Sequence, residues 1–123
     1  MEIIVHAGKT LAEIAQEFHR KFPYLKLEFF AVPHAAGAAT PGRDRLPQEL
    51  TVSEAGHAGQ QEPVSISGNM KVSTLEQAFQ AHFGIGVQVL RRSGPLWLQT
   101  AATDSWTLSK QNQEGELDAL PVE

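Results

Sequence analysis

One pattern of apolar residues occurs twice in the chain, with the second copy 61 positions after the first, and it constrains the fold more than any other feature. The first copy consists of Ile3, Val5, Leu11, Ile14, Phe18 and Phe22, and the second of Val64, Ile66, Val72, Leu75, Phe79 and Phe83. In each copy, two residues at the alternating spacing of a β-strand precede four residues at helical spacing. The repeat predicts two copies of one strand–helix unit.

The first unit, residues 1–32, is predicted to be a βαβ segment. Thr10 stands three residues before Glu13, which is the spacing of a capping box and predicts the start of a helix there. Pro23 ends that helix because proline cannot continue the helical hydrogen bonds. Alternating apolar residues over 25–29 then predict a second strand.

The second unit, residues 63–114, repeats this plan. Ser73 and Glu76 have the capping-box spacing at the start of its helix, and Gly84 is placed to end the helix in a left-handed conformation. Strand-like alternation follows at Val87 and Val89.

The second unit also has an extension that the first unit lacks in sequence. The turn-forming segment 92–95 predicts a hairpin with a further strand over 96–100. We expect Asp104 to cap a short last helix from about residue 105 and Gly115 to end it. Residues 115–123 form an acidic tail.

Residues 33–62, between the two units, contain many glycine and proline residues and few large apolar ones. This composition predicts a flexible loop. Thr51 and Glu54 repeat the capping-box spacing, so a short helical turn is expected inside the loop.

The order of these elements predicts a single domain of the α+β class. Two βαβ units in succession are the plan of a ferredoxin-like sheet, here with an added C-terminal hairpin strand and short helix. The alternative is an α+β domain with the same elements in another strand order.

The segment 87–98, VQVLRRSGPLWL, and the residues TDSWTL at 103–108 with Gln111 and Asn112 form a distinctive signature. Together with FPYLK at 22–26, this signature resembles that of a family of short uncharacterised bacterial proteins. The resemblance covers most of the chain and implies no activity, cofactor or catalytic residue.

Composition excludes some classes of site. The chain has no cysteine, which excludes disulfides, zinc–thiolate sites and thiol nucleophiles. Its formal net charge of −4 argues against a duplex-DNA binder, which usually presents a basic face. The chain opens without a signal-peptide pattern and has no apolar run of membrane-spanning length, so we expect a cytoplasmic protein with no membrane partner.

The five histidines are not paired at metal-binding spacing, and no nucleophile motif such as G-x-S-x-G occurs. His34 and His57 both lie in the 33–62 loop and are the histidines most able to meet. We predict no catalytic, cofactor-binding or metal-binding residue and no cofactor.

The candidate partner-binding residues are Arg91, Arg92 and Trp97, which share the predicted hairpin. Arginine and tryptophan together can hold an anion or stack on a base. If Leu96 and Leu98 face the helices, strand alternation turns Trp97 to the open face of the sheet. We expect Trp106 in the last helix to fold back over Trp97.

The sequence alone does not establish a function. The favoured hypothesis is a small non-enzymatic domain that binds or regulates another protein. The alternative is a nucleic-acid-binding module that uses the sheet face and the Arg91/Arg92 hairpin, although the charge makes nucleic acid a less favoured partner. A second alternative is a small enzyme whose site the sequence does not reveal.

Overall fold

A computed structural model describes residues 2–31, 45–56, 63–100 and 103–119. Within these ranges lie five strands and four helices, which confirms the α+β class. In chain order they are β1 (Ile3–Val5), α1 (Leu11–Lys21), β2 (Leu25–Ala31), α2 (Val52–Ala55), β3 (Val64–Ile66), α3 (Val72–Phe83), β4 (Ile85–Ser93), β5 (Leu96–Gln99) and α4 (Leu108–Ala119).

The described strands form two antiparallel sheets, and a ferredoxin-like arrangement is not shown. One sheet pairs β1 with β3, with Ile4 opposite Ser65. The other has the order β2–β4–β5, and Leu27 on β2 is opposite Val89 on β4. Thus β1 pairs with its repeat equivalent β3, and β2 pairs with its equivalent β4. Antiparallel pairing of equivalent strands relates the two units by an approximate twofold axis.

The duplication extends further than the apolar pattern, because α2 and the start of α4 occupy equivalent positions. Thr51 and Thr107, which precede these helices, form isolated bridges to Thr10 and Lys71. The backbone hydrogen bonds match in pairs: Leu11 N to Leu50 O with Val72 N to Trp106 O, and Val52 N to Lys9 O with Leu108 N to Met70 O. The two units therefore share a β-α-β-α plan, not only a βαβ plan.

The core lies between the helices and one face of the larger sheet. On that face, buried apolar residues alternate along the strands at Leu25, Leu27, Phe29, Val87 and Val89. The helices contribute Phe18 from α1 and Phe79 from α3, both fully buried. The ring of Phe79 lies 6.1 Å from that of Phe29, so the second unit packs directly on the first.

The helix starts are only partly as predicted. Both threonine capping boxes are present: Thr10 with Glu13, and Thr51 with Glu54. The capping box predicted at the start of α3 is wrong, because α3 begins one residue after Lys71, which makes no side-chain cap. Backbone carbonyls from the 103–106 turn accept from the first N–H groups of α3 instead.

Two helix ends are as predicted. α1 ends at Lys21, just before Pro23, and α3 is followed by Gly84 in the left-handed conformation with φ 66°. Glycine adopts this conformation without the steric cost that a Cβ would add.

The last helix differs from the prediction at both ends. Its cap is Thr107, whose hydroxyl accepts from the N–H of Lys110 at 3.2 Å, and not Asp104. Gly115 does not end the helix but lies buried inside it. A Cβ at Gly115 would lie 2.8 Å from the Cβ of Tyr24 and 3.1 Å from the Cγ of Arg91. Gly115 is needed for close approach of α4 to the sheet, which is why its helix-ending propensity is overridden.

The described part of the predicted 33–62 loop is structured around α2. Arg45 forms a bridge to Phe30, on the edge of β2 that corresponds to the edge of β4 taken by β5. The rest of that prediction, residues 33–44 and 57–62, lies outside the described residues, as does the end of the acidic tail.

Replacing Gly115 with alanine tests this packing. Alanine favours a helix interior by about 1 kcal/mol over glycine. We expect Gly115→Ala to destabilise the protein nevertheless, because overpacking of this kind costs about 1–3 kcal/mol. Urea unfolding measures the effect, with Gln113→Ala, an exposed position on the same helix, as the control. A Gly115→Ala variant more stable than the wild type would contradict the close approach.

Candidate binding surface

Arg91 and Arg92 are adjacent on β4 and point to opposite faces of the sheet. Arg91 is opposite Leu25, whose side chain is in the core, whereas Arg92 is opposite Trp97. The structure therefore brings Arg92 and Trp97 together, as the sequence analysis grouped them, and places Arg91 beneath α4.

Trp97 is half-buried on the open face of the larger sheet and is surrounded by cationic side chains. The Nζ of Lys26 lies 5.0 Å from the centre of the indole, and the Cζ of Arg92 lies 5.7 Å from it. The imidazole of His19 meets the indole edge-on at 6.1 Å. We call Trp97, Lys26, Arg92 and His19 the Trp97 surface.

Strand geometry holds the parts of this surface in place. Lys26 on β2 is opposite Leu90 on β4, and Leu90 is buried although it is on the open face. The guanidinium of Arg92 is fixed by its Nε, which donates to the carbonyl of Gly94 at 2.7 Å. His19, at the end of α1, is fixed by a contact of 2.9 Å between its Nδ1 and the carbonyl of Leu25.

The positive charge of the Trp97 surface is not neutralised within the described residues. Lys26 and Arg92 both lie close to the Trp97 indole, and neither forms a salt bridge with a carboxylate of the described residues. The carboxylate of Glu28, two residues from Lys26 on the same face of β2, is paired with Arg45 at 3.1 Å. Two cations over one indole without a carboxylate are an arrangement that favours a bound anion.

Arg91 belongs to a different cluster, which attaches α4 to the sheet. Its Nη1 donates to the Oε1 of Gln111 at 3.0 Å, and Gln111, which is fully buried, donates to Thr103. The Nε of Arg91 is buried without an acceptor in the described part of the chain. Two cationic groups lie close to the indole of Trp106. The Cζ of Arg91 is 5.7 Å from its ring centre, and the Nζ of Lys110 is 4.7 Å from the same ring centre.

The expectation that Trp106 folds back over Trp97 is therefore not met. Trp106 precedes α4 and stacks with Arg91 and Lys110. Its contacts tie α4 to the sheet, and they leave the indole of Trp97 in contact with Lys26 and Arg92.

Sequence reasoning missed Lys26 and His19. Both are far from the hairpin in sequence and reach Trp97 only because β2 lies beside β4. The alternation along β2 does show that Lys26 points away from the core, but no local pattern shows that it crosses to β5.

The half-buried carboxyl of Glu76 has a pKa well above its ordinary value. Burial, and to a smaller extent the negative charge of Asp104, raise the pKa of Glu76 on α3 to about 7. Asp104 is placed there because its carbonyl accepts from the N–H of Ser73 at 2.9 Å. The carboxyl of Glu76 thus carries a proton at mildly acidic pH.

Within the described ranges, no group of three or more histidine, aspartate or glutamate side chains is arranged to hold a metal ion. His34 and His57 lie outside those ranges. No helix in the described part of the chain is long and apolar enough to cross a membrane.

Comparison with known proteins gives no relative: the chain matches no protein-family model, no curated protein and no solved structure. The resemblance drawn from the 87–98 segment stays a prediction.

The position of Glu76 predicts a pH dependence of stability. Its pKa is about 7 in the folded chain and 4.5 in the reference state, so the folded chain binds more protons between these values. Stability should therefore fall as pH rises from about 4.5 to about 7, and then level off.

A Glu76→Gln variant should lack this part of the pH dependence and be more stable than the wild type at pH near 8. Urea unfolding across the pH range measures both effects, with Gln77→Ala, an exposed neighbour on α3, as the control. Equal slopes in the wild type and in Glu76→Gln would contradict the assignment.

Proposed function

We propose that this protein is a non-enzymatic binding module whose Trp97 surface docks an acidic segment of a partner protein. The observation that carries the proposal is the position of Lys26 and Arg92 over the Trp97 indole without a carboxylate partner in the described residues.

The charge distribution supports an acidic partner. The chain as a whole has a formal net charge of −4, so a cationic surface on it is a local feature. Such a patch attracts an oppositely charged segment and orients it during encounter. Carboxylates of the partner would form charge-assisted hydrogen bonds with Lys26 and Arg92.

The indole gives the surface an apolar component. Tryptophan and arginine are the residues that most often dominate the binding energy of protein interfaces. Because the indole is half-buried on the sheet and contacts Lys26, Arg92 and His19, it loses little freedom on binding.

A nucleic-acid-binding module is the second candidate, and the position of Trp97 beside Arg92 on a sheet face is the observation in its favour. Sheet-based modules of this kind present aromatic side chains of one four-stranded sheet to the bases, whereas the described strands pair as β1–β3 and β2–β4–β5. Moreover, Lys26 and Arg92 already lie over the indole, so a stacked base would have to displace a cation. The acidic protein segment is therefore the better ligand.

A titration in the Trp106→Phe background tests the proposal, because Trp97 is then the only tryptophan. We expect a short peptide rich in aspartate and glutamate to change the fluorescence of Trp97 saturably, with weaker binding at high salt. Lys26→Gln/Arg92→Gln should weaken binding about tenfold or more, since it removes two charge-assisted contacts.

Arg20→Gln/Lys71→Gln removes one arginine and one lysine from exposed positions outside the Trp97 surface and serves as the matched control. Equal affinity of both double variants for the peptide would contradict the proposal. Binding of an oligothymidine in preference to the acidic peptide would support the nucleic-acid alternative instead.

A further inference from the structure

Strand β5 forms the edge of the larger sheet. It pairs with β4 on one side, and no other strand of the described residues pairs with it on the other. An edge strand presents backbone N–H and C=O groups that another strand can bind.

The direction of these backbone groups follows from the neighbouring pairing. The N–H of Arg92 donates to the carbonyl of Tyr24 at 3.0 Å, so the backbone groups of Arg92 point to β2 and away from β5. In an antiparallel pair, the residue opposite such a position also points its groups outwards. Trp97, which is opposite Arg92, therefore directs its N–H and C=O to the free edge, and so does Gln99 two residues on.

The two faces of this edge differ in chemistry. Leu96 and Leu98 project on the face towards α4 and are 61% and 42% exposed. Trp97 projects on the opposite face, with Arg92 and Lys26 beside it. An added strand would therefore contact leucines on one face and cations on the other.

We infer that the free edge of β5 binds an extended peptide of the partner as an additional antiparallel strand, in which apolar and acidic residues alternate. Backbone hydrogen bonds to Trp97 and Gln99 hold the strand, as in other cases of strand addition. Its apolar side chains cover Leu96 and Leu98, and its glutamates reach Arg92 and Lys26. The acidic half of this specificity rests on the proposed function, and the strand pairing does not.

A second copy of the chain is a poorer occupant of the same edge. Pairing of β5 with β5 about a twofold axis would bring two Trp97 surfaces side by side. The Lys26 and Arg92 cations of both copies would then share one face of the continuous sheet, with no carboxylate in either Trp97 surface to offset them, and like charges brought together at an interface are unfavourable. Charge complementarity thus selects an acidic peptide over self-association.

Alternate N-methylation of a synthetic peptide gives a direct test. The probe is a fluorescein-labelled hexapeptide in which glutamate and valine alternate, and fluorescence anisotropy measures its binding to the full chain. Opposite Trp97 in an antiparallel strand, the residue on the same face is a glutamate, and its N–H points to β5. N-methylation of the glutamates should therefore weaken binding at least tenfold, whereas N-methylation of the valines should leave it nearly unchanged.

The valine-methylated peptide is the matched control for the glutamate-methylated one, because the two have the same side chains and the same charge. Leu96→Ser/Leu98→Ser, which changes only exposed side chains, should also weaken binding. Equal binding of all three peptides would overturn the strand addition, as would dimerisation of the chain that excludes the peptide. Loss of binding on valine methylation alone would overturn the antiparallel orientation.

The same peptides separate this inference from the proposed function. If N-methylation of the glutamates weakens binding but Lys26→Gln/Arg92→Gln does not, strand addition is supported and the role of the cations is contradicted. Binding that depends on the two cations but is insensitive to N-methylation contradicts strand addition and leaves the acidic partner supported.

Discussion

The antiparallel pairing of β2 with β4 is the interaction on which the rest of the structure depends. It joins the two units, because β2 belongs to the first and β4 to the second. On one face of the sheet, this pairing aligns the buried side chains that pack against the helices, with Leu27 opposite Val89. On the other face it brings Lys26 within 5.0 Å of the ring centre of Trp97, since β5 attaches to the far edge of β4.

Much of the fold follows from the sequence because its determinants are local. The alternating and helical apolar spacings identify the strands and α1 and α3, and the two threonine capping boxes mark helix starts. The equivalence of α2 and α4 is not visible in the same way, because the spacing from Thr51 to Thr107 differs from that of the apolar repeat. Strand order was also beyond a local pattern, since it depends on which edges meet in three dimensions.

The candidate site shows the same division. Strand alternation predicts that Trp97 and its neighbours Leu96 and Leu98 project on different faces of the sheet, and the structure confirms this. The same rule places Arg91 and Arg92 on different faces. The sequence grouping of both arginines overlooked that rule. Lys26 and His19 join Trp97 only through long-range strand pairing, and Gly115 lies inside α4 because the helix must approach Tyr24 and Arg91 closely.

Nuclear Overhauser contacts between α-protons test the β2–β4 pairing most directly. The hydrogen bond from Arg92 to Tyr24 makes Leu27 and Val89 a pair without mutual hydrogen bonds, and the α-carbons of such pairs are only about 4.5 Å apart. The account predicts a strong contact between the α-protons of Leu27 and Val89. Absence of that contact, together with contacts that place β1 parallel to β3 in one four-stranded sheet, would contradict it.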